Sequence, residues 1–150
     1  MRALVIGAGQ DRAETRRLAR ANPAVEWLDW VEPAELPAVI AAHDVCLGIF
    51  GVGPKALRVV PNKVYQGAAA GCAVVTSDTR PQREALGDAA VFIRPGDAHA
   101  LAAALRGLAE DAPALAKLRA AARDRARESF AATVVVTALR ERLGARTARR

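Results

Sequence analysis

Short apolar runs alternate along the chain with longer stretches in which apolar positions recur at helical spacing. The apolar runs predict five strands, at residues 3–6, 25–28, 44–50, 72–76 and 90–93. The helical stretches cover residues 11–20, 33–42, 61–70, 98–109, 113–128 and 131–143, with a turn and a short helix over 79–88. Strands that alternate with helices are typical of crossover connections. We therefore predict an α/β protein with a parallel sheet of about five strands and helices on both faces.

The stretch from Pro61 to Asp78 is the clearest unit of this pattern. Pro61 fixes the backbone for a first helical turn, small residues follow, and Gly71 is expected to end the helix in the left-handed conformation. The apolar run Cys72–Thr76 then predicts a strand that is buried on both faces. Because ligands bind outside the carboxyl ends of the strands in an open parallel sheet, we expect a binding site at the residues just past this strand, Ser77, Asp78, Thr79 and Arg80.

Composition fits one soluble domain with an aliphatic core. The chain has 150 residues, of which 52% are hydrophobic and 4% are aromatic. No apolar segment is long enough for a signal peptide or a membrane span. Cys46 and Cys72 fall in predicted buried strands without metal-ligand spacing, so we expect free thiols in a reducing cytoplasm.

The net positive charge lies at the C-terminal end. Residues 1–105 carry 11 basic and 11 acidic side chains, whereas residues 106–150 carry 11 and 5, which gives the net charge of +6. Only Phe130 is aromatic in the basic part and no nucleic-acid motif is present, so nucleic acid is not an expected partner. A solvated helix face is the favoured interpretation, and contact with a membrane surface is the alternative. Residues 144–150 are expected to form a frayed basic tail.

A first glycine turn, Gly7-Ala8-Gly9, follows the first predicted strand and precedes a helix. Backbone amides in such a turn can bind phosphate oxygens. However, Arg12 stands where the dinucleotide fingerprint has its third glycine, and only Asp29 is placed to bind a ribose. NAD binding is therefore a weak alternative.

A second glycine-rich segment, Gly51–Ala56, follows the third predicted strand. Pro54 interrupts it and no helix is expected before Pro61. It is either a flexible loop or a loop that folds over the phosphates of a ligand with the help of Lys55 and Arg58, and both interpretations stay open.

Three blocks of the sequence, read together, match one known family. They are LVIGAGQDRAETRRLA, VEWLDWVEPAELPAVIAAHDVCLGIFG and VVPNKVYQGAAAGCAVVTSDTRPQREALGDAAVFIRPGDAHALAAAL, and the most specific part is NKxxQxxAxGxxVVTSD. In order and spacing the blocks resemble the C-terminal, donor-binding half of family 4 glycosyltransferases of the GT-B architecture. The resemblance implies a Rossmann-like half of a GT-B fold and a retaining transfer of a sugar from a nucleotide diphosphate donor. It implies no metal and no other cofactor.

The resemblance also implies roles for particular residues. The two glutamates with which the family binds its donor match Arg58 and Gln66, so both carboxylates are absent. An amide at Gln66 can still bind ribose hydroxyls, but it offers no charge-assisted pair, so weaker or altered donor binding is expected. Some branches of the family keep an N-K-x-x-E block with a basic residue upstream, which Asn62, Lys63 and Arg58 resemble. The family's glycine turn matches Gly7 and Gly9, its base-binding loop matches Trp30 and Val31, and Glu84 lies in the loop that faces the donor. Beside these matches, Lys55 is a cation available for the diphosphate. No residue is assigned a catalytic role.

Two parts of complete family members have no counterpart in the sequence. One is an earlier strand and helix, whose strand lies centrally in the family's sheet and whose cations bind the diphosphate; the other is the acceptor-binding N-terminal domain. We therefore expect residues 1–143 to be a nucleotide-sugar-binding domain without that first unit, inactive alone, with a further domain or partner chain for the acceptor. A non-catalytic binding module derived from this fold is the main alternative, and a dinucleotide-binding oxidoreductase domain is the weaker one. The expected setting is the bacterial cytoplasm, with peripheral contact at the inner membrane as an option.

Overall fold

The chain is a parallel α/β structure, as its alternating pattern predicts. A computed structural model describes residues 1–137 and 140–143. Its elements are β1 (Ala3–Ile6), α1 (Arg12–Ala19), β2 (Val25–Leu28), α2 (Leu36–Ala41), β3 (Val45–Leu47), α3 (Asn62–Ala70), β4 (Ala73–Ser77), α4 (Arg80–Leu86), β5 (Ala90–Ile93), α5 (Ala98–Glu110), α6 (Ala112–Ser129) and α7 (Ala132–Val135). Every strand pair among them is parallel. None of the described helices is long and apolar enough to cross a bilayer.

The five strands are divided between two sheets. β1 pairs with β2, and β4 lies between β3 and β5 in a second sheet. The chain also divides into two compact units, Met1–Val39 and Ile40–Arg150. The number and direction of the strands are as predicted, but they do not form one continuous sheet. A hydrophobic pattern shows where strands lie, whereas their pairing depends on backbone contacts between distant parts of the chain.

The first unit has no fully buried residue. Its strands pair in register from Ala3 opposite Val25 to Ile6 opposite Leu28, and every residue from 1 to 39 is half-buried or exposed. Two-stranded sheets are at best marginally stable alone. This unit therefore contributes little core of its own.

The second unit has its core on both faces of β4, whose five residues are all buried. Side chains alternate between the two faces of a strand, so Val74 and Val75 enter different clusters. One cluster contains Val64, Ala68, Val74, Leu86, Ala122 and Ala126. The other contains Val75, Ile93 and Leu108. Helices α3 and α4 thus cover one face and α5 covers the other, while α6 packs on both, since Leu115 and Leu118 at its start contact the second cluster. Helices on both faces are the predicted arrangement.

Helix α3 forms where the sequence predicts it and lies very close to β3. Its N-cap, Pro61, is extended, and Gly71 ends it with φ 79°. A Cβ atom added at Gly67 would lie 2.5 Å from the Cβ of Cys46. Only a residue without a side chain fits there. Burial in this contact raises the pKa of the Cys46 thiol to about 11.

Three elements differ from the sequence prediction. α2 begins at Leu36 rather than at Pro33, because Pro37 has no N–H to donate and fits only in the first helical turn. β3 ends at Leu47, before Gly48, so it is shorter than the predicted strand over 44–50. Of the helix predicted over 131–143, Ala132–Val135 forms α7, a turn at Val136 interrupts it, and residues 137 and 140–143 are helical. Residues 138–139 and the predicted basic tail, 144–150, lie outside the described residues.

Substitution Gly67→Ala tests the contact between α3 and β3. Glycine to alanine inside a helix normally stabilises a protein by about 0.5–1 kcal/mol. Here the new methyl group meets Cys46, so we expect the free energy of unfolding to fall by about 1–3 kcal/mol in denaturant titration.

Gly107→Ala is the matched control, because Gly107 lies inside α5 with no atom within 4 Å of an added Cβ. We expect it to stabilise the protein by about 0.5–1 kcal/mol. Equal effects of the two substitutions would contradict the close packing of α3.

Candidate functional site

The exposed face of α3 presents three polar residues that the sequence assigns to a donor site. Asn62, Lys63 and Gln66 are exposed, whereas Val64 and Gly67 are buried on the opposite face. Positions three and four apart are neighbours on a helix, so the three side chains share one surface. β3 and β4 are parallel and consecutive, so α3 runs back from the carboxyl edge of the sheet. The face therefore begins at the edge where ligands of such sheets bind.

Three exposed cations lie on α3 and the segment before it. They are Lys55, Arg58 and Lys63. Within residues 1–137 and 140–143 no carboxylate forms an ion pair with any of them, although seven other ion pairs are present. A cation at a helix start is unfavourable because the helix dipole is positive there, unless an anion lies near. These groups have the charge and the exposure needed to bind an anion.

The segment between β3 and α3 is folded into turns. The amide of Leu57 donates to the carbonyl of Gly53 (3.2 Å), and that of Arg58 donates to the carbonyl of Lys55 (3.1 Å). The carbonyl of Val59, the residue after Arg58, accepts a hydrogen bond from Gln82 Nε2 at 3.3 Å. The segment that carries Lys55 and Arg58 is thereby attached to α4.

The carboxyl end of β4 and the start of α4 hold buried polar groups. Ser77, Thr79 and Gln82 are buried, and Ser77 Oγ, Thr79 Oγ1 and Gln82 Oε1 have no hydrogen-bond partner among the described residues. Asp78 between them is exposed and accepts from Arg83 Nη2 at 2.7 Å. That hydrogen bond lowers the pKa of the Asp78 carboxyl. The sequence places Ser77 and Thr79 just past the predicted strand, at the edge where ligands bind, whereas it assigns Gln82 no role.

Glu84 lies on α4 and not in a loop, which corrects its predicted position. The run from Arg80 to Leu86 is helical because Pro81 occupies its first turn. Arg80 Nε donates to the Glu84 carboxylate at 2.7 Å, a pairing that their spacing predicts. Glu84 also lines an open cleft of about 460 Å³ together with Tyr65, Ala85, Arg125, Ser129, Phe130 and Val135. Lys63 and Gln66 do not line this cleft, so the structure does not group Glu84 with them there.

The other predicted donor-binding residues belong to the first unit. Gly7 has φ 124°, and its amide donates to the carbonyl of Leu28 at 2.9 Å, so it is already engaged. Gly9 is exposed and Val31 is half-buried. The indole of Trp30 is 69% exposed and donates from Nε1 to Glu32. Most of the residue is thus accessible, as stacking on a base requires.

The structure adds a reason against dinucleotide binding. Arg12, which replaces the third glycine of the fingerprint, forms an ion pair with Asp29. Asp29 is the acidic residue that would have to bind the ribose of NAD. Because its carboxylate is paired within this unit, the weaker alternative loses its one candidate ligand.

Two arginines of α6 hold the carboxyl ends of α3 and α4, which sequence reasoning missed. Arg119 Nε donates to the carbonyl of Gly71 at 2.9 Å. Arg125 donates from Nε to the carbonyl of Ala85 (2.7 Å) and from Nη2 to that of Glu84 (3.0 Å). Cations at helix C-termini are favourable because they satisfy free carbonyls and the negative end of the dipole. At least two of the basic side chains near the C-terminus therefore hold helix ends in the fold, whereas the sequence favours a solvated face for them.

The fold is a Rossmann-like half of the GT-B type, as the sequence predicts. The chain belongs to the family described as glycosyl transferases group 1, whose sequence model matches residues 1–111. This confirms the resemblance to glycosyltransferases at the level of group 1, while the assignment to family 4 stays a prediction. A search of curated protein sequences gave no match.

Solved structures of larger proteins are similar to the chain. Sucrose-phosphate synthase from Thermosynechococcus elongatus matches 95% of the chain with a TM-score of 0.75 and 18% identity. HepE from Anabaena, in complex with UDP, matches 97% with a TM-score of 0.74 and 17% identity. The C-terminal domain of the group 1 glycosyl transferase LpcC from Francisella tularensis matches 86% with a TM-score of 0.65 and 17% identity. The chain covers 38%, 41% and 69% of these three chains, respectively.

Substitution Arg125→Met tests the arginine that holds α4. It removes two hydrogen bonds from a charged group and leaves the carbonyls of Glu84 and Ala85 without their partner. We expect the free energy of unfolding to fall by about 1–3 kcal/mol in denaturant titration.

Arg127→Met is the control on the same helix, because Arg127 is exposed and only faces Asp124 at 3.7 Å. We expect a change within about 0.5 kcal/mol. A similar loss in both variants would mean that general helix electrostatics, and not the bonds to α4, account for the effect.

Proposed function

We propose that the chain is the nucleotide-sugar-binding half of a retaining glycosyltransferase of family 4. The whole enzyme would transfer a sugar from a nucleotide diphosphate donor to an acceptor. The observation that carries the proposal is the exposed face of α3, where Asn62, Lys63 and Gln66 lie together at the carboxyl edge of a buried parallel sheet. Membership of the group 1 family supports the sugar-transfer chemistry, and the complex of HepE with UDP supports a nucleotide diphosphate as ligand.

The unpaired cations are the groups that we propose for the diphosphate. A diphosphate loses its hydration when it binds, so it needs cations and amide donors as partners. Lys63 is at the start of α3, and Lys55 and Arg58 are on the segment that leads to it. All three are exposed, so their side chains can reach a ligand at the carboxyl edge without breaking an ion pair seen in the described residues.

Gln66 is the group that we propose for the ribose hydroxyls. Its amide can accept one hydroxyl hydrogen bond and donate another. A glutamate would form shorter, charge-assisted bonds, so we expect the donor to bind more weakly than to a family member that has the carboxylate. In the first unit, we propose Trp30 and Val31 for the base and the turn at Gly7 and Gly9 as a further contact. Glu84 on α4 completes the proposed set.

The acceptor site is proposed to lie elsewhere. The chain covers less than half of two of the larger proteins that it resembles, so a further domain or partner chain would bind the acceptor. We propose that residues 1–143 act as the donor domain and that no metal or cofactor is needed. We also propose a cytoplasmic location, with contact between the basic C-terminal helices and an anionic membrane surface as its peripheral variant.

A non-catalytic binding module is the second candidate function. It is favoured by the absence of both family glutamates, since Arg58 and Gln66 stand at their positions. In such a protein the fold would be kept for binding or for assembly, and the α3 face would have no need for a carboxylate.

Titration with UDP, GDP and ADP tests the donor-site proposal. We expect heat of binding for one of them in calorimetry, and we expect Lys63→Met to weaken that binding about tenfold by removing one charge-assisted phosphate contact. Lys117→Met, on the exposed side of α6, is the control and should bind as the wild type does. Flat titrations with all three nucleotides would rule the proposal out.

Substitution Gln66→Glu separates the two candidate functions. If Gln66 binds ribose hydroxyls, a carboxylate strengthens those bonds, and we expect about threefold tighter binding of the nucleotide identified above. Ala69→Glu adds the same charge near the other end of α3 and should not tighten binding. An unchanged or weaker affinity in Gln66→Glu would favour the non-catalytic module.

A further inference from the structure

Gln82 is a polar side chain that is fully buried. It lies on α4 and is 0% exposed, and it is one of the largest fully buried side chains in the second unit. Leu86, one turn further along α4, belongs to the cluster against which Val60 packs. Burial of an amide costs free energy unless the group is hydrogen-bonded. The presence of glutamine here therefore needs a reason.

The hydrogen bonds of Gln82 do not supply a reason within the fold alone. Its Nε2 donates to the carbonyl of Val59 at 3.3 Å, whereas its Oε1 has no partner among the described residues. An apolar side chain of the same shape would fill the same space without leaving a buried acceptor unpaired. For stability alone, methionine would serve as well as glutamine or better.

Local helix chemistry does not explain Gln82 either. Thr79 and Gln82 have the spacing of a capping box, in which the third helical residue reaches back to the amide of the N-cap. In the structure Thr79 makes no capping bond with its side chain, and its amide donates to the carbonyl of Ser77. The amide group of Gln82 points instead to a segment 23 positions earlier in the chain.

That segment carries two of the proposed donor cations. The carbonyl that Gln82 binds belongs to Val59, which follows Arg58 and lies two residues before Pro61, the N-cap of α3. Turn hydrogen bonds hold Leu57 and Arg58 within the segment, but they do not attach it to the rest of the unit. Val60 packs on the core cluster, and the bond from Gln82 to Val59 attaches the segment to α4 by a hydrogen bond.

We propose that Gln82 is a positioning residue, which fixes the segment from Gly53 to Val60 so that Lys55 and Arg58 face the same ligand as Lys63. The part of this inference that concerns a ligand rests on the proposed donor site. The attachment of the segment through Gln82 stands independently of that site. Gln82 does not itself contact the nucleotide.

Substitution Gln82→Met tests the inference, with Thr79→Val as the matched control. Both replace a buried polar side chain by an apolar one of similar shape, and both remove an atom that lacks a partner. Only Gln82 reaches Val59. For each variant we would measure the free energy of unfolding, hydrogen exchange at the amides of Leu57 and Arg58, and the Kd for UDP.

For Gln82→Met we expect unfolding stability equal to or above that of the wild type, faster exchange at Leu57 and Arg58, and about three- to tenfold weaker UDP binding. Thr79→Val should leave exchange and binding at wild-type values. Unchanged exchange in Gln82→Met would overturn the proposal, and so would faster exchange spread over the whole chain with a loss of stability. If the wild type binds none of UDP, GDP and ADP, the donor site fails as a proposal, while the exchange comparison still decides the role of Gln82. If GDP or ADP is the nucleotide that binds, its Kd replaces that of UDP in the comparison.

Discussion

The close contact between α3 and the sheet is the constraint on which the second unit depends. β4 is buried on both faces, and α3 packs Val64 and Ala68 against it, while Gly67 lies against Cys46 of β3. The helix can come this near to β3 only because Gly67 has no side chain. The same contact leaves the polar face of α3 outward, so packing on one side of the helix determines what the other side presents.

The two ends of α3 differ in their surroundings, because α6 contacts its carboxyl end and its start is exposed. α6 packs on the same cluster through Ala122 and Ala126, and its arginines bind the carbonyls at the carboxyl ends of α3 and α4. At the opposite edge, the start of α3 and the segment before it carry the exposed cations. The carboxyl ends of α3 and α4 thus bind the arginines of α6. The start of α3, with its exposed cations, lies at the carboxyl edge of the sheet.

Local features of this architecture could be predicted from the sequence, and long-range ones could not. The bounds of α3 and its end at Gly71 follow from residues within the helix, and the pairing of Arg80 with Glu84 follows from their spacing. The bond from Gln82 to Val59 joins residues 23 positions apart, and that from Arg125 to Glu84 joins residues 41 positions apart. No periodicity encodes such contacts. The division of the strands into two sheets was missed for the same reason.

The two thiols of the chain, Cys46 and Cys72, are expected to react slowly because both are shielded from solvent. Burial raises the pKa of Cys46 and of Cys72, so both stay protonated near neutral pH, and a protonated thiol is a poor nucleophile. A cysteine introduced on the outer surface of α3 would therefore react with an alkylating dye well before either native one. The native protein needs no cysteine removal before a fluorescent reporter is attached beside the candidate site.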